Sequence, residues 1–335
     1  MSMTLEEIKK GMSDKVFGKI VDIFLRESEI LQMLPFDDCV SASGSGSTMK
    51  YKYLRKVLPA TAQFRKLNGE YNSSAATKKE FEAALAIMGG EVQLDRALNK
   101  AAGKWDNLSY QVEEHIKAVV SLFHYTLING DAVTTAATDA PEFEGLDSML
   151  AGTSTELNAN KSIDLSNIAK LKENADEFYE ALSLLMKKTQ ADALLMNTDM
   201  INKVQTVARI LGYKTENEDA FGRKVTSMDG VRFMDLQDHY TVQDGIAVPN
   251  SVVKAGLART VGGSEATGLT DIYAVKFDVN DGFHGVSLNG SAVIDQYLPD
   301  FNAPGVMKKA EVEMIAATVL KNTQRAGVLR NIKIA

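Results

Sequence analysis

The sequence predicts an α+β chain in which helices and strands mix and a two-stranded arm stands off the body. Three patterns carry this. Residues 49–57 and 79–88 each alternate with period two, Met49, Tyr51, Tyr53 and Val57 against Lys50, Lys52 and Lys56, then Phe81, Ala83, Leu85 and Ile87 against Glu80 and Glu82. Residues 109–129 carry one helical stripe, Val112, Ile116, Val119, Val120, Phe123 and Leu127. Beyond residue 167 a helix–strand–helix unit runs into several strands.

The elements follow in order. Residues 4–34 read as a helix with Val16, Ile20, Ile23, Phe24 and Leu31 on one face, ended by Pro35. The glycine-rich GSGST at 44–48 reads as a hinge before the arm. Between the arm's limbs lie about twenty residues without periodicity, long for a connection inside a compact domain. A lone hairpin is marginal in water, so an arm of this kind implies a partner to lie on. Gly89-Gly90 reads as a bend, and Gly130 as a left-handed cap closing the long helix. Residues 131–167 are loop-like. The unit after them has a helix over 172–188 burying Ala175, Phe178, Leu182, Leu185 and Met186, a strand over 193–196, and a helix capped by Asn197 or Thr198 that stops at Gly212. Asp229-Gly230 and Asp244-Gly245 are hairpin-turn dipeptides. Residues 272–279 form a strand, and the tail alternates through Val312, Met314 and Ala316 and ends with Ile332 and Ile334.

Composition limits the class. The chain has 335 residues, 45% hydrophobic and 24% charged, the balance of a globular protein. No apolar run is long enough to span a bilayer, and the first residues lack the apolar stretch of a signal peptide. Cys39 is the single cysteine, which suits a reducing cytoplasm. A net charge of −7 argues against a protein that grips a phosphate backbone. Charge is uneven, however. Lys50, Lys52, Arg55, Lys56, Arg65 and Lys66 crowd the arm, while Asp131, Asp139, Glu142, Glu144, Asp147 and Glu156 precede Lys161 with no basic residue among them. Two solvated faces account for this, and so does a basic arm docking on an acidic surface of a neighbour. Tyr51, Tyr53 and Phe64 sit within the basic cluster and are expected to pack on that partner. The expected contact residues are therefore Lys50, Tyr51, Lys52, Tyr53, Arg55, Lys56, Phe64, Arg65 and Lys66.

Chemistry finds little purchase. GSGST lacks both the phosphate-loop spacing and a dinucleotide fingerprint. His115 and His124 lie on opposite sides of one helix and cannot share a metal, and Asp37-Asp38-Cys39 has no histidine near it in sequence. Cys39 has the chemistry of a nucleophile, although a lone cysteine is more commonly structural. Asp235, Asp238 and His239 are the remaining cluster an enzyme could use. No catalytic, cofactor or metal site is expected.

The order of parts resembles a known family. GGEVQLDRAL at 89–98, QVEEHIKAVVSLFHYTLINGDA at 111–132, FYEALSLLMKKTQADALLMNTDMINKV at 178–204 and AEVEMIAATVLKNTQRAGVLRNIKIA at 310–335 together look like the major capsid protein of tailed bacteriophages, whose architecture is called the Hong Kong 97 fold. The resemblance implies an α+β subunit divided into an N-terminal arm (1–44), an extended hairpin loop (45–88), a peripheral domain built on the spine helix (89–160), an axial domain (161–282), strands returning to the peripheral domain (283–322) and a last return to the axial domain (323–335). It implies a structural protein, not an enzyme, self-assembling as hexamers and pentamers into an icosahedral shell around double-stranded DNA contacted non-specifically. The shell would be built in the host cytoplasm with a portal, without a membrane. Only about forty residues precede the arm, so a separate scaffolding protein is expected. Some relatives cross-link arm lysines to a neighbour's asparagines; nothing here fixes which would meet. An encapsulin-type nanocompartment is the alternative within the same fold, and a cytoplasmic enzyme with a mixed sheet is the third reading.

Overall fold

Two apolar cores organise the chain. A computed structural model describes residues 28–39, 49–101, 107–138, 140–212, 216–218, 224–288, 293–301 and 304–335. Of the helix expected over 4–34 the described part is Glu29–Met33; its residues 4–27, the 44–48 hinge and Asp139 lie outside the described residues.

The first core is built on the long helix, Asn107–Asn129, 23 residues and so about 35 Å of rod. Val112, Val119, Phe123 and Leu127 recur at helical spacing and are buried. They pack with Met88 and Val92 of the strand Ala86–Asp95 and with Val312, Met314 and Ala316 of the 14-residue strand Met307–Leu320. Burying side chains such as Phe123 and Leu127 contributes about 1.5–3 kcal/mol each. Those two strands run antiparallel from Ala86 opposite Ala316 to Asp95 opposite Met307. Asp295–Tyr297, Phe283–Ser287 and, parallel to the last, Phe36–Asp38 complete a five-stranded sheet. The hairpin Asp238–Gln243/Ile246–Ser251 also lies on the long helix, and Ser121 Oγ donates to the Asp238 carbonyl at 3.3 Å.

The second core lies under a nine-stranded sheet centred on Ser264–Val275, which is flanked by Ala326–Lys333 and Ala193–Leu195. The helices Ala175–Thr189 and Thr198–Leu211 cover it with Phe178, Leu182, Leu185, Met200, Val204 and Val207, set against Leu194, Ile272, Leu329 and Ile332. Asn197 is the cap of the second helix, accepting from Met200 N–H at 2.8 Å, and Gly212 ends it with φ +77°. The Asp-Gly turns have positive φ at both residues, 54° and 79° at Asp229-Gly230, 51° and 78° at Asp244-Gly245, as a primed two-residue hairpin requires. The central strand ends at Val275 instead of Val279.

Three local expectations are corrected. Gly89-Gly90 is no bend: both glycines lie inside Ala86–Asp95, paired with Glu313 and Val312. They are needed for close approach, because a Cβ at Gly89 would fall 2.6 Å from the Val312 carbonyl oxygen and one at Gly90 2.5 Å from His115 Nδ1 of the long helix. Gly130 does not adopt positive φ either. A Cβ there would lie 2.3 Å from the Phe143 oxygen and 2.6 Å from the Thr126 oxygen, where the chain folds back and Gly145 N–H bonds the Gly130 carbonyl at 2.9 Å. Both obstacles are backbone, so Gly130→Ala forces the return segment off the helix end. A loss of about 1–3 kcal/mol is expected, read as a lower denaturation midpoint; an unchanged midpoint would show that the segment yields freely.

The third correction concerns the arm. Its returning strand is Thr77–Ala84, paired with Lys50–Leu58 from Lys50 opposite Ala84 to Leu58 opposite Thr77. At Leu85 the chain leaves the arm for the body sheet, and the alternation changes phase there. Leu85, Ala86 and Met88 are buried while Ile87 faces out.

Candidate assembly interface

The arm has a root held by the body and a tip that, among the described residues, bonds only to itself. At the root, Tyr51 O–H donates to Asp37 Oδ2 at 2.5 Å. Burial first, then this bond and the Asp37 charge, push the Tyr51 phenol well above its ordinary value. Lys321 Nζ lies 5.4 Å from the Tyr51 ring centroid and 3.9 Å from Asp37 Oδ2, and donates to the Val279 carbonyl at 2.7 Å. Arg55 donates from Nη2 to the Leu320 carbonyl at 2.7 Å and from Nε to the Lys321 carbonyl at 3.2 Å, with its guanidinium 4.4 Å from the Phe81 centroid. Tyr53 stacks between Tyr51 and Phe81, centroids 6.3 and 5.9 Å away. Tyr51, Tyr53 and Arg55 thus find their partners within the chain, because the arm is seated on the end of Met307–Leu320. Phe64 alone of the three aromatics stays free of the body.

Two of the arm's lysines also have internal partners. Lys50 pairs with Glu82 at 2.6 Å and Lys52 with Glu80 at 3.0 Å, all on exposed positions where such pairs are worth little. The Lys50 hydrogen bond is the main reason the Glu82 carboxyl sits below its usual range. Lys56 is placed opposite Lys78, like charge beside like. From residue 49 to 84 the sequence holds eight Lys or Arg against three Glu, so the arm as a whole remains basic.

Beyond Leu58 the backbone ladder stops. Between residues 59 and 76 the single backbone–backbone bond among the described residues is Gly69 N–H to the Lys66 carbonyl, 3.0 Å. Side chains tie the limbs instead. Thr61 bonds Ser74 Oγ from both N–H and O–H at 2.8 and 3.0 Å, Gln63 and Asn72 exchange bonds at 3.0 and 3.2 Å, and the Arg65 guanidinium lies 5.4 Å from the Tyr71 centroid. The tip therefore keeps its antiparallel direction with most main-chain donors and acceptors open. It also exposes Phe64 (106%), Leu67 (90%) and Tyr71 (65%) together with Arg65 and Lys66. Leu67 and Tyr71 were not among the expected contacts. Their signal is an apolar residue in a stretch with no period.

The acidic segment is only partly a free surface. Asp147 and Glu156 both accept from Arg330, and Asp131 caps the short helix Ala132–Thr135 through Val133 and Thr134 N–H. Glu142 and Glu144 remain exposed.

Elsewhere, the Asp235 carboxylate accepts from Gln237 N–H at 2.8 Å and from the Thr198 hydroxyl, while His239 Nδ1 lies 3.2 Å from Ser121 Oγ. Burial lowers the His239 ring below its ordinary value. Among the described residues no three His, Cys, Asp or Glu side chains converge as a metal site, and no helix is long and apolar enough to cross a membrane.

No family model matches this chain, and no curated protein matches it by sequence. Solved structures do match along its whole length. The SrpI encapsulin of Synechococcus elongatus PCC 7942 is 12% identical over 99% of this chain and 96% of its own, with a TM-score of 0.60. A structure from Mycobacterium phage Bobi gives 12% identity, 99% of both chains and 0.58. The mature capsid of bacteriophage PhiM1 gives 10%, 94% and 90%, and 0.52. The protein therefore has the Hong Kong 97-like α+β fold that phage capsids share with encapsulin shells. At such identities the likeness defines architecture and leaves the role to the site.

Proposed function

We propose that the protein is the major capsid protein of a tailed phage or prophage, assembling as hexamers and pentamers into an icosahedral shell that encloses double-stranded DNA. The observation that carries this is the arm tip, an open-backbone ribbon with Phe64, Leu67 and Tyr71 out in solvent on a fold whose solved examples include capsids. Such a surface is costly for a monomer and useful to a ring. Head-to-tail contacts between unlike surfaces close into rings. Each can be as weak as about −4 kcal/mol, a millimolar pair, because several per subunit add. The net charge of −7 suits a container that encloses a polyanion without gripping it.

The role is structural and not catalytic. The arm, loop, peripheral and axial division, the portal, a separate scaffolding protein and assembly in the host cytoplasm belong to the same proposal. An encapsulin-type compartment is the second reading, favoured by the full-length match to an encapsulin. Electron microscopy of the concentrated, purified protein tests the first part: closed shells are expected, and a monomer at every concentration would refute them. Nuclease-protected DNA inside particles from the native source supports the phage reading, and protein cargo with no DNA overturns it.

A further inference from the structure

The root of the arm stands over a buried histidine. His284 lies in Phe283–Ser287, fully buried, and among the described residues neither ring nitrogen has a hydrogen-bond partner. Buried polar groups are seldom left in this condition. Tyr51, Asp37, Lys321 and Asp278 are the titratable groups that approach it. The Tyr51 ring meets it edge-on, centroids 6.0 Å apart. Asp37 comes from the neighbouring parallel strand, where it pairs with Val286, and Lys321 follows the antiparallel strand that places Val319 opposite His284. Asp278 comes from the loop before the strand, and the Gly282 carbonyl lies near the ring. Asp37 is the shared acceptor. It takes the Tyr51 hydroxyl, lies near Lys321, and its field favours a proton on His284.

Resting on the assembly reading above, we propose that His284 is an acid-sensitive latch for the arm. With a neutral ring it leaves Asp37 to Tyr51 and the arm stays seated; once charged it competes for Asp37, and Tyr51 with the strand it belongs to is released. Burial first, then Lys321, hold the ring at about 4, against 6.5 for an unburied imidazole, while Gly282, Asp37 and Asp278 pull the other way. The sign follows. The unseated state binds the proton more readily, so seating is complete above pH 6.5 and weakens as pH falls from there toward about 4. His124, buried on the long helix and also at about 4, titrates over the same window but holds Ser28 at 2.8 Å instead of the arm.

The test is amide hydrogen exchange on the unassembled full chain from pH 7.5 to 4.5, corrected for intrinsic rates. Lys50–Leu58 and Thr77–Ala84 are expected to lose protection tenfold or more toward acid, reversibly, while Ala326–Lys333 keeps its own. In His284→Phe, which fills the site without a titrating group, the arm profile should be flat; a profile like the wild type's would overturn the latch. If that variant does not fold, Asp37→Ala serves, since it leaves the Tyr51 hydroxyl without its acceptor: the arm should be loose already at pH 7.5 with no further acid step, and an arm seated at pH 7.5 that still loosens toward acid would refute the proposal. Because nothing here needs shells, failure to assemble would count against the function and not against the latch.

Discussion

Arg330→Met is expected to remove about 3–5 kcal/mol of stability, the cost of stripping the partner from a buried charge, and so to lower the melting temperature by roughly 4–7 °C in a chain of this length. Arg330 is 7% exposed and Asp271, on the adjoining strand, 2%. Its guanidinium reaches Asp271 Oδ2 at 3.1 Å, Glu156 Oε1 at 2.9 Å and the Asp147 carboxylate, with the Asp147 carbonyl at 3.2 Å. Arg259 braces Asp271 from the other side at 2.8 Å, and Tyr273 O–H donates to Asp147 at 2.8 Å. Asp147 belongs to Leu146–Leu150, which packs on the long helix, while Arg330 and Asp271 belong to the nine-stranded sheet. The cluster therefore ties one core to the other, and its loss should be felt globally. Arg330→Lys should recover less than half, since a point charge cannot address three carboxylates at once. Burial alone would raise the Asp147 carboxyl; the Arg330 charge and the bonds from Arg330 and Tyr273 outweigh it and leave it below its usual 3.8. Its contribution is thus present above pH 3.8 and lost as pH falls below. Calorimetry of the unassembled subunit at pH 7 decides the matter, and a shift within a degree or two would mean that Arg259 alone satisfies the carboxylates.

How far these features were legible depended on the range of the forces behind them. Val112, Val119, Phe123 and Leu127 announce their helix because one stripe must be buried, and Asp229-Gly230 and Asp244-Gly245 announce their turns because two consecutive positive φ values restrict the residue choice. A cap at Asn197 or Thr198 was readable from the immediate neighbours, and the structure uses Asn197. The glycines failed for a different reason. Gly89, Gly90 and Gly130 answer to atoms of Val312, His115 and Phe143, which approach them only once the fold exists. The arm's root was hidden in the same way. Arg55 bonds a carbonyl 266 positions away, a partner that no neighbour in sequence announces. His284 and Lys321 had no local signal at all, and Asp37 stood out only beside Asp38 and Cys39, as a ligand type with no histidine near it in sequence. The acidic run likewise looked like a surface until Arg330 claimed Asp147 and Glu156.

Removing residues 59–76 and closing the arm with an Asn-Gly turn should give a subunit that folds as before and builds no shells. Leu58 pairs with Thr77, so the cut ends already lie across the ribbon from each other and a two-residue turn can join them without moving the strands. Among the described residues the side-chain bonds of the tip stay within the tip, so the melting temperature of the body should stay within about 1 °C. What is lost is Phe64, Leu67 and Tyr71, the exposed apolar groups that a neighbouring copy would bury, and the open main chain between them. Phe64→Ser with Tyr71→Ser should weaken assembly in the same direction with the backbone intact. Arg65→Glu with Lys66→Glu should do so most at low salt, where the attraction is least screened. Normal particles from the deletion would move the interface elsewhere on the molecule and leave the arm unexplained. Particles that form but burst would place the tip's contribution in holding the shell closed instead of in building it.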